Sequence, residues 1–301
     1  MHSRPTEVQR HRRLIVCLGI FISILSAPGW AAVSATDDAN RTVTLAVPAR
    51  RIVSLAPHAT ELLYAAGAGN YLVGVSEFSD YPPQARQLPS VGSSAAVDIE
   101  RIVSFKPDLV VAWGSGNSAV QIARLRSLGV PVFESEPRDF ATIASSLERL
   151  AHLAGTAPIG KTAAEAFRTR LKTIAATYQY RPTVRVFYQI WRAPLMTLND
   201  AHLVSHAIRL CGGENIFGKL AQLAPAVGIE AVLQANPEVI ITGSSEDGAL
   251  SDWRRFTRLT AAARNNLFSI ESDWMTRNGP RILDGTEALC KQLDVARGKR
   301  K

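Results

Sequence analysis

The chain has 301 residues, 47% of them hydrophobic and 20% charged, with a formal net charge of +8. That is enough apolar material for two packed domains and too much for a disordered chain. Three cysteines, 16 prolines and 20 glycines exclude a disulfide-dense mini-scaffold and a collagenous chain, and the one long apolar run, Leu14 to Leu25, is too short to span a bilayer comfortably, which excludes a polytopic membrane protein.

That run follows Arg4, Arg10, Arg12 and Arg13 and precedes Ala27-Pro-Gly-Trp-Ala31-Ala32, the layout of an export signal over residues 1–31 with cleavage expected near Ala31 or Ala35. Cys17 stands at the beginning of the apolar core, whereas a lipid-modified cysteine would follow it, so no lipid anchor is expected; Arg12-Arg13 matches a twin-arginine signal only in part. Removal of residues 1–31 takes away four arginines and Glu7 and leaves a net charge of about +5. Arg297, Lys299, Arg300 and Lys301 then form a basic tail over 296–301, the body between is close to neutral, and no nucleic-acid partner is expected. Two cysteines remain, Cys211 and Cys290; an oxidising compartment favours one disulfide, with two free buried thiols as the alternative.

After the signal, Asp37 to Leu45 reads as a short strand or hairpin, Arg51 to Leu55 as a buried strand, Ala56 to Thr60 as the loop after it, and Glu61 to Ala66 as a helix closed by Gly67. Strands Tyr71 to Val75, Leu109 to Trp113 and Val130 to Ser135 then alternate with helices over 98–104, 118–128 and 139–154, the pattern of a parallel α/β sheet. From Pro158 to Tyr180 the alternation stops: Ile159, Ala163, Phe167, Leu171, Ile174 and Tyr178 recur at helical spacing, and Pro182 follows, which gives one long amphipathic helix. The α/β pattern resumes with strand Val184 to Gln189, a loop from Trp191 to Asn199, helices His202 to Cys211 and 228–235, strand Val239 to Thr242 and a last helix Pro280 to Leu293.

Residues 99–111 align without gaps on residues 229–241, keeping Ile99/Ile229, Glu100/Glu230 and Pro107/Pro237 identical at an offset of 130. The expected fold is therefore two Rossmann-like α/β lobes with parallel central sheets, 32–157 and 182–295, joined by the long helix over 158–181. Ligands of open α/β sheets sit beyond the carboxyl ends of the strands, so the ligand cleft is expected between the lobes.

No complete G-x-G-x-x-G, P-loop, G-x-S-x-G or H-E-x-x-H motif is present, and Gly114-Ser-Gly116 reads as a plain turn. An enzyme is not expected, because no activated nucleophile or full metal triad can be assembled. His202 and His206 stand four apart on one helix face near Asp200, but two histidines make no metal site; His58 lies in a cleft loop, where a histidine is more often simply hydrogen-bonded. The strand ends carry rings instead: Phe78, Tyr81, Trp113, Trp191, and Trp274 beside Asp273 and Arg277. Rings offer rigid apolar area to a bulky or planar ligand, and Asp273 and Arg277 would orient it.

On Gly74-Val-Ser-Glu-Phe-Ser-Asp-Tyr-Pro-Pro83, Glu100-Arg-Ile-Val with Lys106-Pro-Asp-Leu-Val110, Cys211-Gly-Gly-Glu-Asn-Ile-Phe217, and Ser272-Asp-Trp-Met-Thr-Arg277 with Pro280-Arg281, the chain resembles periplasmic substrate-binding proteins of the single-helix-linked class from about Arg51 to Leu293. Within that class it is similar to the cobalamin-binding components of vitamin ABC importers. The resemblance implies that Phe78, Trp113, Asp273 and Arg277 line a corrinoid site, that Cys211 pairs with Cys290, that Glu100 and Glu230 face a dimeric permease in the inner membrane, and that the protein is a periplasmic monomer with a bound ligand and no cofactor. Ser94 and Ala224 stand where such binders carry tryptophans, while Trp191 adds a ring. A ferric siderophore or haem is the alternative ligand.

Overall fold

A hairpin is the first element among the described residues. Strands β1 (Val33–Thr36) and β2 (Thr42–Leu45) pair antiparallel around Asp37, whose Oδ1 accepts the backbone N–H groups of Ala39 and Arg41. The computed structural model describes residues 1–2, 32–243 and 248–300; the remainder of the expected export signal, with Cys17 and Arg12-Arg13, lies outside the described residues. Ala35 pairs with Val43 in mid-strand, so a cut there would halve β1, whereas a cut near Ala31 leaves the hairpin whole.

β3 (Ile52–Ser54), β4 (Leu72–Val75), β5 (Leu109–Trp113) and β6 (Val132–Ser135) form a parallel sheet in the order β4-β3-β5-β6. β7 (Val184–Gln189), β8 (Gly213–Asn215), β9 (Val239–Thr242) and β10 (Leu267–Ser269) form a second in the order β10-β9-β7-β8. Read from the β4 edge of the first sheet and the β8 edge of the second, each order runs second, first, third, fourth, so the two sheets share one topology, as the repeat requires. The repeat reaches the backbone: Lys106 and Asn236, each just before its proline, both adopt left-handed φ values of 47° and 46°. These residues end helices α2 (Ile99–Ser104) and α7 (Ile229–Ala235) and turn the chain into the third strand of each sheet.

Alternate strand residues face opposite sides, and both sides are apolar because helices cover both. Ile52, Leu109, Val111, Val186, Val239 and Ile241 join one continuous core that spans both sheets. Val53, Val110 and Ala112 face a smaller core with α2 and α3 (Ala119–Ser127), and Phe187 and Ile240 face another with α7 and α8 (Ala249–Arg254). The shared core runs under α1 (Pro57–Ala65), α4 (Phe140–Leu153) and α5 (Ala157–Tyr178), and continues through α6 (Leu203–Leu210) and α11 (Ile282–Gly298). α5 is the expected long helix, and after it the chain enters the second sheet. It presses on α4 so closely at Gly160 that a Cβ there would overlap Ala151. Ile159, expected on its buried face, is half exposed and covers Gly67 instead. The short α9 (Thr260–Ala263) and α10 (Ser272–Thr276), together with α8, β8 and β10, went unread in the sequence.

Three readings are corrected. The loop expected at 56–60 is mostly helix: α1 starts at Pro57, whose fixed φ suits a first turn, so His58 is helical and 5% exposed. The helix expected from His202 starts one residue later: His202 is the N-cap of α6, its Nδ1 accepts the N–H of Val204 and its carbonyl the N–H of His206. Residues 296–300 are no free tail, Lys301 lying outside the described residues: α11 runs to Gly298, Arg297 donates to the carbonyls of Pro182, Cys211 and Gly212, and Arg300 pairs with Glu238 and the carbonyl of Thr183. Charge in a sequence suggested solvent, but carbonyls at a helix end and a strand start are strong guanidinium acceptors.

Candidate ligand cleft

The carboxyl end of β3 feeds α1 directly, and a chain of buried hydroxyls pins the next loop to that junction. Thr60 Oγ1 lies 2.9 Å from Ser54 Oγ and 3.1 Å from Ser79 Oγ, and Ser79 Oγ lies 3.2 Å from Ser76 Oγ. Between the two serines Phe78 takes a left-handed φ of 63° and leaves its ring 77% exposed. An aromatic in that region is strained, and strain of this kind persists where the surroundings fix it. Trp113, the last residue of β5, is half-buried, with its ring centroid 5.6 Å from that of His58 and the two planes at 80°. Burial lowers the His58 pKa to about 4, so its ring is neutral; its Nε2 has no hydrogen-bond partner.

From the second lobe, Trp191 follows β7 with its ring 61% exposed and its Nε1 donating to the carbonyl of Ala193. Asp273 and Trp274 lie on α10, and Arg277 is its C-cap. Arg277 is only 11% exposed: Nη2 reaches Asp273 at 2.7 Å, and Nη1 reaches Asp80 at 2.7 Å and Glu61 at 3.3 Å. Arg281 adds two contacts to Glu61 and lies over the Tyr81 ring at 4.0 Å. Although partial burial opposes it, the bond from Arg277 holds the Asp80 carboxyl below the usual carboxylate range. The structure thus ties Tyr81, Asp273 and Arg277 together across the lobes, through Asp80, Glu61 and Arg281. Among the described residues no hydrogen bond, ion pair or ring contact joins Trp191 to that group. Trp274 is half-buried against the backbone-side approach of Gly285, where a Cβ would come 3.1 Å from it.

Glu61, Asp80, Arg281 and Asn117 were not singled out in the sequence. A lone carboxylate among the buried Leu62 and Leu63 of α1 was the available signal for Glu61, and Asp80 sits inside the Ser-Asp-Tyr-Pro run. Ser94 offers its carbonyl to Asn117, and Ala224 lies exposed on a segment whose neighbours Leu223 and Pro225 bond to the backbone of Asn199 and Thr197. Glu100 and Glu230 are both exposed in the first turns of α2 and α7. Beside Glu100 runs a groove of about 580 Å³ lined by Ile99, Val103, Arg124 and Leu128. Cys211 and Cys290 are disulfide-bonded, joining the end of α6 to α11. Among the described residues no group of three or more His, Cys, Asp or Glu side chains could hold a metal ion, and no helix is long and apolar enough to cross a membrane.

Residues 52–274 match the model of a family described as periplasmic binding protein. The chain is 39% identical over 287 residues to a vitamin B12-binding protein of Vibrio cholerae, covering 94% of this chain and 98% of that one. It is 38% identical over 248 residues to a vitamin B12-binding protein of Yersinia pestis, covering 81% and 86%. The crystal structure of the periplasmic vitamin B12 binding protein BtuF of Vibrio cholerae superposes with a TM-score of 0.78 at 41% identity, over 83% of this chain and 98% of that chain. A periplasmic haem-binding protein, BhuT, has the same fold at a TM-score of 0.73 and 20% identity, over 82% and 98%.

Proposed function

The chain belongs to the periplasmic binding protein family, and from that premise we propose that it captures cobalamin or a related corrinoid between its lobes and delivers it to the permease dimer of an ABC transporter, with no covalent chemistry. The observation that carries the reading is the set of large rings at the carboxyl ends of strands in both lobes: Phe78 and Trp191 exposed, Trp113 half-buried. Such rings suit the broad apolar faces of a macrocycle, and amide-bearing edges would be met by polar groups at the rim. The vitamin named for the relatives that are 38–39% identical is the same class of ligand.

Charge argues in the same direction. A haem or a ferric siderophore presents anionic groups and calls for cations, but Arg277 and Arg281 are spent on Glu61, Asp80 and Asp273. Glu100 and Glu230, at equivalent points of the two lobes, are the surface offered to the two permease subunits, where each ion pair would aid orientation and on-rate more than affinity. Export through the signal at 1–31 places this chemistry in the periplasm. Titrating the purified protein with cyanocobalamin, with calorimetric heat and tryptophan quenching recorded together and haemin as the comparison, tests the reading. Saturable micromolar or tighter binding of cyanocobalamin is expected; its absence, or preference for haemin, removes the corrinoid assignment.

A further inference from the structure

The lobes meet at a partly buried ion-pair cluster whose buried centre, Glu61, belongs to none of the expected ligand or docking sets. Glu61 lies on α1 of the first lobe and is 3% exposed. Its Oε2 accepts Arg281 Nε at 2.9 Å, its Oε1 accepts Arg281 Nη2 and, at 3.3 Å, Arg277 Nη1. Both arginines come from the second lobe. A two-point guanidinium–carboxylate pair fixes orientation as well as distance. The chain comes close enough to form it at Gly279, where an added Cβ would stand 3.4 Å from Glu61 Oε2.

The same arginines reach the expected cleft. Arg277 Nη1 also holds Asp80, two residues after the exposed Phe78, and Nη2 holds Asp273 on α10; Arg281 covers Tyr81. One network therefore fastens the Phe78–Tyr81 loop of the first lobe to α10 and the start of α11 in the second. Loss of the Glu61 charge would leave Arg281 without its two-point partner and Arg277 with Asp80 and Asp273 alone; a largely buried guanidinium without its carboxylate relaxes toward water, and because Glu61 and Arg281 stand on different lobes that movement takes the lobes apart.

We infer that Glu61 is a positioning residue that sets the aperture of the cleft, and through it how long a bulky ligand is retained. The ligand half of this inference rests on the corrinoid reading; the aperture half does not. The test places spin labels on the exposed positions Val120 and Val295, as Val120→Cys and Val295→Cys in a Cys17→Ser background of the full chain, and compares wild type, Glu61→Gln and Asp80→Asn. In Glu61→Gln the interlobe distance distribution is expected to broaden or lengthen, and cyanocobalamin dissociation to accelerate roughly tenfold with association little changed. A merely structural carboxylate would lower the melting temperature and leave both readouts unmoved, which overturns the inference. If Glu61→Gln does not fold, Asp80→Asn, at a partly exposed carboxylate, carries the same comparison, and an unchanged distribution in it is equally fatal. If wild type binds no cyanocobalamin, the functional reading fails while the distances still decide the aperture.

Discussion

The backbone N–H of Trp113 donates to Oδ1 of Asn117 at 2.6 Å, and Asn117 Nδ2 donates in turn to the carbonyls of Ser94 at 2.6 Å and Leu55 at 3.1 Å. One buried amide thus fixes the end of β5, the end of β3 and the Ser94 loop. Gly116 lies so near the Trp113 ring that a Cβ there would overlap it. Asn117→Ala leaves a buried N–H and two carbonyls short of partners and should cost about 1–3 kcal/mol in urea unfolding. Trp113→Ala should instead weaken cyanocobalamin binding by about 1–3 kcal/mol with little loss of stability. Early melting with normal binding in Trp113→Ala would make the ring a core element.

His58 makes stability depend on pH. The folded protein holds its pKa at about 4, against an ordinary value of 6.5, because burial disfavours the charged ring. Between those values the unfolded chain binds the proton and the folded one does not, so stability falls as pH drops through this window and levels off below it. The loss from this group between pH 7 and pH 4.5 should be about 2 kcal/mol. His58→Leu should flatten that part of the profile in chemical denaturation; an unchanged slope would place the dependence elsewhere, His202 being shifted the same way.

The Cys211–Cys290 bond closes a loop over a sequence separation of 79. In the chain-entropy account such a loop contributes about 4 kcal/mol. Reduction, or Cys211→Ser with Cys290→Ser, should lower the unfolding midpoint accordingly while the affinity of the still folded protein stays near wild type. A loss of affinity at temperatures where the reduced protein remains folded would mean that the bond also shapes the cleft.

Replacing Glu100 and Glu230 together by alanine removes a helix-dipole contribution of at most about 1 kcal/mol per residue. Ligand affinity and melting temperature should hardly move. Uptake in cells, or co-purification with the permease, should fall sharply and lose part of its salt sensitivity. Normal uptake by the double variant would leave these carboxylates with the dipole role alone.

Sequence by itself determined the parts of this protein that are set by local patterning. Buried strands such as Leu109–Trp113, the long helix ending at Tyr178, and the repeat that aligns Pro107 with Pro237 are legible because periodicity, proline and offset are properties of the chain alone. The pairing of Cys211 with Cys290 was legible too, because only two cysteines remain once the export signal is removed. Tertiary structure decided what depends on neighbours from distant segments. His58 looked like a loop residue until the helix began at Pro57, and Arg297 and Arg300 looked like a solvated tail until carbonyls of 182, 183, 211 and 212 came within reach. Above all, the lobe-to-lobe cluster of Glu61, Asp80, Asp273, Arg277 and Arg281 joins residues about 200 positions apart, and no spacing rule in one dimension announces a pairing that only the approach of two folded lobes creates.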